Sequence, residues 1–187
     1  MLHRASPCPR AIATERRERG FTLVELVTVI IVAGILAAVA MPRFTGSGSF
    51  DATTYSDQVR SMLRFGQKLA IAQNRPVFVR FTGTSVALCY DAGCTRTVPA
   101  ASGSNSGSRA TNTICGNAAW ACEGMPNGMT VAPATADTFY FDAAGQPFNV
   151  TDVSPTLTST FARRTFVYTA GGISKTIVVT PQTGYVQ

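Results

Sequence analysis

The chain has 187 residues, of which 45% are hydrophobic and 14% charged, and a formal net charge of +6. That length and apolar content suit an anchor plus one modest domain and exclude a polyelectrolyte or disordered chain. The charge alone suggests a nucleic-acid binder, but residues 1–20 hold Arg4, Arg10, Arg16, Arg17 and Arg19 against Glu15 and Glu18, half of the excess, and the rest of the chain is only mildly basic.

The first predicted element follows that basic segment. Phe21 to Ala40 is almost entirely apolar, and as a helix it would be about 30 Å long, enough to cross the hydrocarbon core of a bilayer. One carboxylate, Glu25, lies inside it. Ionised near the centre of a bilayer, such a group costs roughly 2.5 to 3.5 kcal/mol, and less near an interface. Arginine before the span and none within it favours a cytoplasmic amino terminus, with everything after Met41 across the membrane. Two simpler readings compete. A secretory signal peptide would use the arginines as its basic region, Leu26 to Ala37 as its apolar region and Ala38-Val39-Ala40 as its cleavage site, yet such an apolar region is shorter and does not begin with an acid. An uncut membrane anchor would use the same helix and leave Glu25 unexplained.

Pro42 is expected to end or kink this helix, because it lacks an amide donor and clashes with the preceding turn, and Gly46 and Gly48 loosen the chain further. From about Phe50 or Thr53 a helical period returns. Tyr55, Val59, Met62, Leu63, Gly66, Leu69 and Ala70 form one stripe, with Asp57, Arg60, Arg64, Gln67 and Lys68 largely off it, and Arg75-Pro76 closes the helix. The stripe reads as a face packed on its own domain. After Pro76 the period becomes that of strands: Val77 to Phe81 and Ser85 to Tyr90 around Thr82-Gly83-Thr84, then Thr138 to Asp142, Thr165 to Thr169, Ile173 to Thr180 and a last piece near Tyr185. Gly171-Gly172 reads as a hairpin turn. Ala100 to Asn112 is rich in Ser, Gly and Asn and reads as an exposed, mobile loop.

Beyond residue 20 four cysteines remain, Cys89, Cys94, Cys115 and Cys122, an even number in a region expected to be oxidising. Three pairings are open, and the local pairs, Cys89 with Cys94 and Cys115 with Cys122, are favoured because each encloses a short segment of turn formers or small residues. A zinc site fits poorly: the spacings are not those of zinc knuckles and no histidine follows the span. The single histidine, His3, lies in the basic segment, so the domain has no histidine triad, Cys-His dyad or histidine metal site. Asp137 and Asp142 flank a strand and read as strand ends rather than paired catalytic acids. Phosphate-cradling glycine spacings are missing as well. No catalytic residue, cofactor or metal site is expected.

Gly20-Phe21-Thr22-Leu23-Val24-Glu25-Leu26 resembles the processing site of the type IV pilins and type II secretion pseudopilins. The resemblance implies a membrane prepilin peptidase and N-methyltransferase that cuts between Gly20 and Phe21 and methylates Phe21. It also implies that Glu25 pairs with the cationic amino terminus of a neighbouring subunit, so that a charge stranded in an apolar environment becomes half of an ion pair during filament assembly. Further along, Arg60 to Val79 resembles the helix-to-first-strand segment of the pseudopilin H and FimT group of minor pilins, and Phe141 to Pro147 and Val179 to Val186 resemble that group's two carboxyl-terminal turns. Ser49-Phe50-Asp51-Ala52, Asp57-Gln58 and Thr183-Gly184-Tyr185-Val186 are most similar to the MshC group of MSHA minor pilins. Asp91 to Ala136 carries no pattern of these groups.

The implied organisation is an α+β, pilin-like chain: a cytoplasmic leader over 1–20 that is removed, a transmembrane helix over 21–41, an amphipathic continuation over 42–75, kinked near Pro42, and a periplasmic antiparallel β domain over 76–187. The implied partners are the peptidase, other major and minor pilins and the inner-membrane assembly platform, and the implied role is a non-enzymatic filament subunit for surface attachment. Two rivals share the cut and the anchor. One is a type II secretion pseudopilin. The other is a DNA-binding minor pilin, for which Arg163, Arg164 and Lys175 would have to converge across the Gly171-Gly172 hairpin and bind phosphates with a steep salt dependence.

Overall fold

The computed structural model describes residues 21–44, 47–152 and 158–187. It divides into two compact units, residues 1–44 and 45–187. In the first, α1 spans Leu23–Phe44. Pro42 falls in its last turn, where its missing amide costs one intrahelical hydrogen bond, and the helix continues two residues past it to Phe44. Residues 45 and 46 and the whole leader segment lie outside the described residues.

The second unit begins with α2, Ser47–Gln73. It is followed by the hairpin β1 (Val77–Phe81) and β2 (Ser85–Cys89), the short helix α3 (Arg109–Cys115), β3 (Cys122–Gly124), β4 (Thr130–Ala132), β5 (Asp137–Phe141), β6 (Pro147–Asn149) and the hairpin β7 (Arg164–Ala170) and β8 (Ile173–Val179). Two antiparallel sheets result, ordered β3-β2-β1-β5-β6 and β4-β7-β8. The class is α+β, a helix packed on antiparallel sheets. The sequence pattern located the five longer strands to within a residue or so. It missed β3, β4 and β6, which are three residues each and too short to show an alternation.

The core lies between α2 and both sheets. Tyr55, Val59, Met62, Leu63 and Ala70 of the α2 stripe are buried with Val77, Val79, Phe139, Phe141, Phe166, Tyr168, Ile177 and Val179. Phe81 and Phe166 stack at 4.0 Å between ring centroids and join the two sheets. Every residue of β2 is buried, because Val86 and Leu88 face this core while Ala87 and Cys89 face a second cluster with Cys115 and Cys122. That second cluster is where the chain between β2 and β4 folds back over the sheet.

Two polar side chains of α2 fasten the far end of the chain. Gln67 Nε2 donates to the carbonyls of Gly145 and Thr183 at 2.9 and 2.8 Å, and Arg64 donates through Nη2 to the carbonyl of Val186 at 2.8 Å. The two turns that carry the carboxyl-terminal motifs therefore meet on one side of α2. Gly184 lies between them at φ 62°, where a Cβ would fall 2.5 Å from the Gly145 carbonyl oxygen, so no larger residue fits.

Candidate processing and assembly site

Among the described residues the site begins at Phe21, which is exposed, and Gly20 lies outside them. Thr22 caps α1: its hydroxyl accepts from the Glu25 amide at 3.2 Å, and its carbonyl accepts from the Leu26 amide at 3.2 Å. Glu25 thus stands at the third helical position, and Thr22-Leu23-Val24-Glu25 has the spacing of a capping box. This local reason for an acid at position 25 is additional to the pairing role that the resemblance implies, and the Thr22-to-Glu25 spacing was the signal for it. An acid in the first turn also meets the positive end of the helix dipole, which lowers the cost of holding a charge there.

The rest of α1 presents apolar side chains on every side. Leu23, Val24, Val29, Ile30, Ile31, Val32, Ile35 and Leu36 are all more than half exposed. Among the described residues no helix is long and apolar enough to cross a membrane.

Of the three cations that the DNA-binding alternative would need together, Arg164 is held in an ion pair and Lys175 lies at a distance from it. Arg164 Nε lies 2.9 Å from Asp137 Oδ2, and its Nη2 donates to Asn149 Oδ1 at 3.0 Å. Lys175 pairs across the hairpin with Tyr168, four positions along β7 from Arg164 and so about 13 Å away along the strand. Arg163 is exposed just before β7. The hairpin turn at Gly171-Gly172 is as expected, and register and an internal ion pair, invisible in composition, set Arg164 apart from Lys175. Asp137 is the partner of Arg164, and Asp142 Oδ1 accepts from the Ala144 and Gln146 amides in a turn, so neither acid is placed as half of a catalytic pair.

The cysteines pair locally, Cys89 with Cys94 and Cys115 with Cys122. Among the described residues no group of three or more His, Cys, Asp or Glu side chains is placed to hold a metal ion. Asp91 closes the first disulfide loop, its carboxylate accepting from the Thr95 amide at 2.9 Å, the Thr95 hydroxyl at 3.1 Å and the Arg96 amide at 2.6 Å. The Thr95 amide above all, with the other donors, holds the Asp91 carboxyl below the usual carboxylate range.

Ala100 to Asn112 is largely exposed, as its composition suggested, but it is also tied down by polar contacts. Its carboxyl end forms the start of α3, capped by Ser108, whose hydroxyl accepts from the Thr111 amide at 3.1 Å. Thr111 is fully buried. The segment packs through polar groups: Glu123, 8% exposed, accepts from the Ser106 amide at 2.8 Å, from the Ser106 hydroxyl and from the Thr111 hydroxyl at 2.9 Å. Gly124 lets α3 lie against β3, since a Cβ there would fall 2.6 Å from the Ala110 carbonyl oxygen. An apolar count gives no sign of such an arrangement, because the acid that organises it is more than ten residues downstream.

Comparison with known proteins bears on the amino-terminal segment. No curated protein matches the chain. Among solved structures it is similar to two crystal forms of the Pseudomonas aeruginosa PAO1 type IV minor pilin FimU, each at 18% identity. The first has a TM-score of 0.43 over 73% of this chain and 86% of FimU, and the second 0.42 over 72% and 90%. Residues 16–41 match the family model described as the prokaryotic N-terminal methylation motif, and Gly20, Phe21 and Glu25 all lie within the matched residues.

Proposed function

We propose that the chain is a prepilin that matures into a minor subunit of a type IV pilus, with no catalytic activity of its own. The observation that carries this reading is the match of residues 16–41 to the methylation motif, coincident with a helix whose apolar side chains are exposed all round. In the proposed sequence of events the chain inserts as a single pass with residues 1–20 in the cytoplasm and the β domain in the periplasm. Prepilin peptidase cuts between Gly20 and Phe21 and methylates the new amine, which keeps its positive charge. The assembly platform then draws α1 out of the bilayer among the helices of other major and minor pilins. Glu25 attracts the Phe21 amine of a neighbour at that step, because a charge pair is far cheaper in an apolar environment than a lone acid. The carboxyl-terminal turns support an MSHA-type system and a role in surface attachment. A pseudopilin of type II secretion would use the same cut and anchor. The DNA-binding alternative has less support, since Arg164 is committed to Asp137 and Lys175 lies at a distance from it.

Mass spectrometry of the mature amino terminus tests the reading directly. Methylated Phe21 is the expected result, while a chain starting at Met41 or retaining Met1 would overturn it. Gly20→Ala is expected to block the cut, and Glu25→Ala to be cut normally yet be lost from filaments. Normal incorporation of the second variant would refute the role given to Glu25.

A further inference from the structure

A cavity of about 210 Å³ opens between α2 and the segment joining β2 to β3. Its lining is mixed: Met62 and Phe65 of α2 with Ala101 and Ala121 are apolar, and uncharged polar side chains from both walls accompany one charged group, Glu123. It is smaller than the roughly 300–1,000 Å³ of pockets that hold drug-sized ligands, so it suits a single small group. Glu123 is the unusual member. It is 92% buried, taken from its 8% exposure, and forms no ion pair among the described residues, its donors being the Ser106 amide and the hydroxyls of Ser106 and Thr111. A carboxylate has about four acceptor positions, so these three donors leave one free. Burying a carboxylate with only neutral donors is costly, and a cation at the open position would recover much of that cost.

We propose that this cavity binds a cationic group on a short aliphatic stem, a primary ammonium or guanidinium, with the charge on Glu123 and the stem against Met62, Phe65 and Ala101. The same chemistry is offered by a free alkylamine and by a lysine or arginine side chain of a neighbouring subunit.

The test is an NMR titration of the full mature chain in detergent micelles with n-butylammonium, with n-butanol as the uncharged isostere, read at the Ala101 and Asn105 amides. The ammonium is expected to bind at least about tenfold more tightly than the alcohol, and Glu123→Gln to abolish that preference. Equal binding of the two probes, binding of neither, or an unchanged preference in Glu123→Gln would each overturn the proposal. Should Glu123→Gln disturb the Ser106 and Thr111 signals, Ala101→Leu decides, because it narrows the cavity and leaves the donors of Glu123 in place. Loss of ammonium binding in that variant supports the site, and undiminished binding refutes it. Repeating the titration on assembled filaments separates the sources: a cavity closed to the probe there contains a neighbour's side chain, and one still open serves a free amine.

Discussion

At the scale of single residues, the acids of this domain act as acceptors that close loops. Asp91 is the clearest case. Its folded-state pKa is lowered from 3.8 by hydrogen bonds from the Thr95 and Arg96 amides and the Thr95 hydroxyl, so its contribution to stability is complete above the unfolded value. As pH falls through the lower folded value the carboxylate takes up a proton, loses acceptor capacity and that contribution disappears. Denaturant midpoints measured at pH 5 and pH 2.5 are therefore expected to fall further in the wild-type chain than in Asp91→Asn, which has no carboxylate to protonate. Equal falls in the two chains would show that the loop does not depend on the ionised acid. Glu25 is a different kind of acid, set by Thr22 in the first turn of an apolar helix. Its spacing from Thr22 was legible in the sequence, whereas the donors of Asp91 depend on how a loop folds back.

Among the elements, the least legible was the segment between β2 and β4. Val98, Ala121 and Met129 join the main core from it, Cys115 and Trp120 the second cluster, and Trp120 also spends its indole N–H on the Leu88 carbonyl at 2.9 Å. With so little apolar area, the two disulfides and the Glu123 hydrogen bonds must hold it. Cross-links closing loops of this size contribute about 2 kcal/mol each in the chain-entropy account. Reduction is accordingly expected to strip amide-exchange protection from Asn105, Thr111 and Trp120 while leaving that of Val79, Phe139 and Ile177 within the α2 core. Uniform loss across both groups would mean the segment and the core unfold as one. The α2 stripe and the β1–β2 and β7–β8 hairpins were readable because each has a full period and a turn of Gly or Thr. The three short strands had neither, and pairing with longer neighbours is what makes them strands.

For the whole molecule, the division into residues 1–44 and 45–187 separates an exposed apolar helix from a domain with its own closed core. A chain beginning at Thr45 is expected to be soluble without detergent and to melt within about 4 °C of the full-length domain, the shift that roughly 1 kcal/mol produces at this size. A larger loss would show that residues before Thr45 stabilise the domain. The sequence by itself determined the match to a methylation motif over residues 16–41, the apolar helix and the order of one helix followed by strands, because short motifs, apolar runs and periodicity are local properties of the chain. Only the tertiary structure decided that Arg164 pairs with Asp137 at a distance from Lys175, that Gln67 and Arg64 fasten the two carboxyl-terminal turns, and that Glu123 accepts from Ser106 and Thr111 across the segment before it. Those outcomes depend on strand register and on contacts between residues far apart in the chain, and neither composition nor spacing encodes which distant groups will meet.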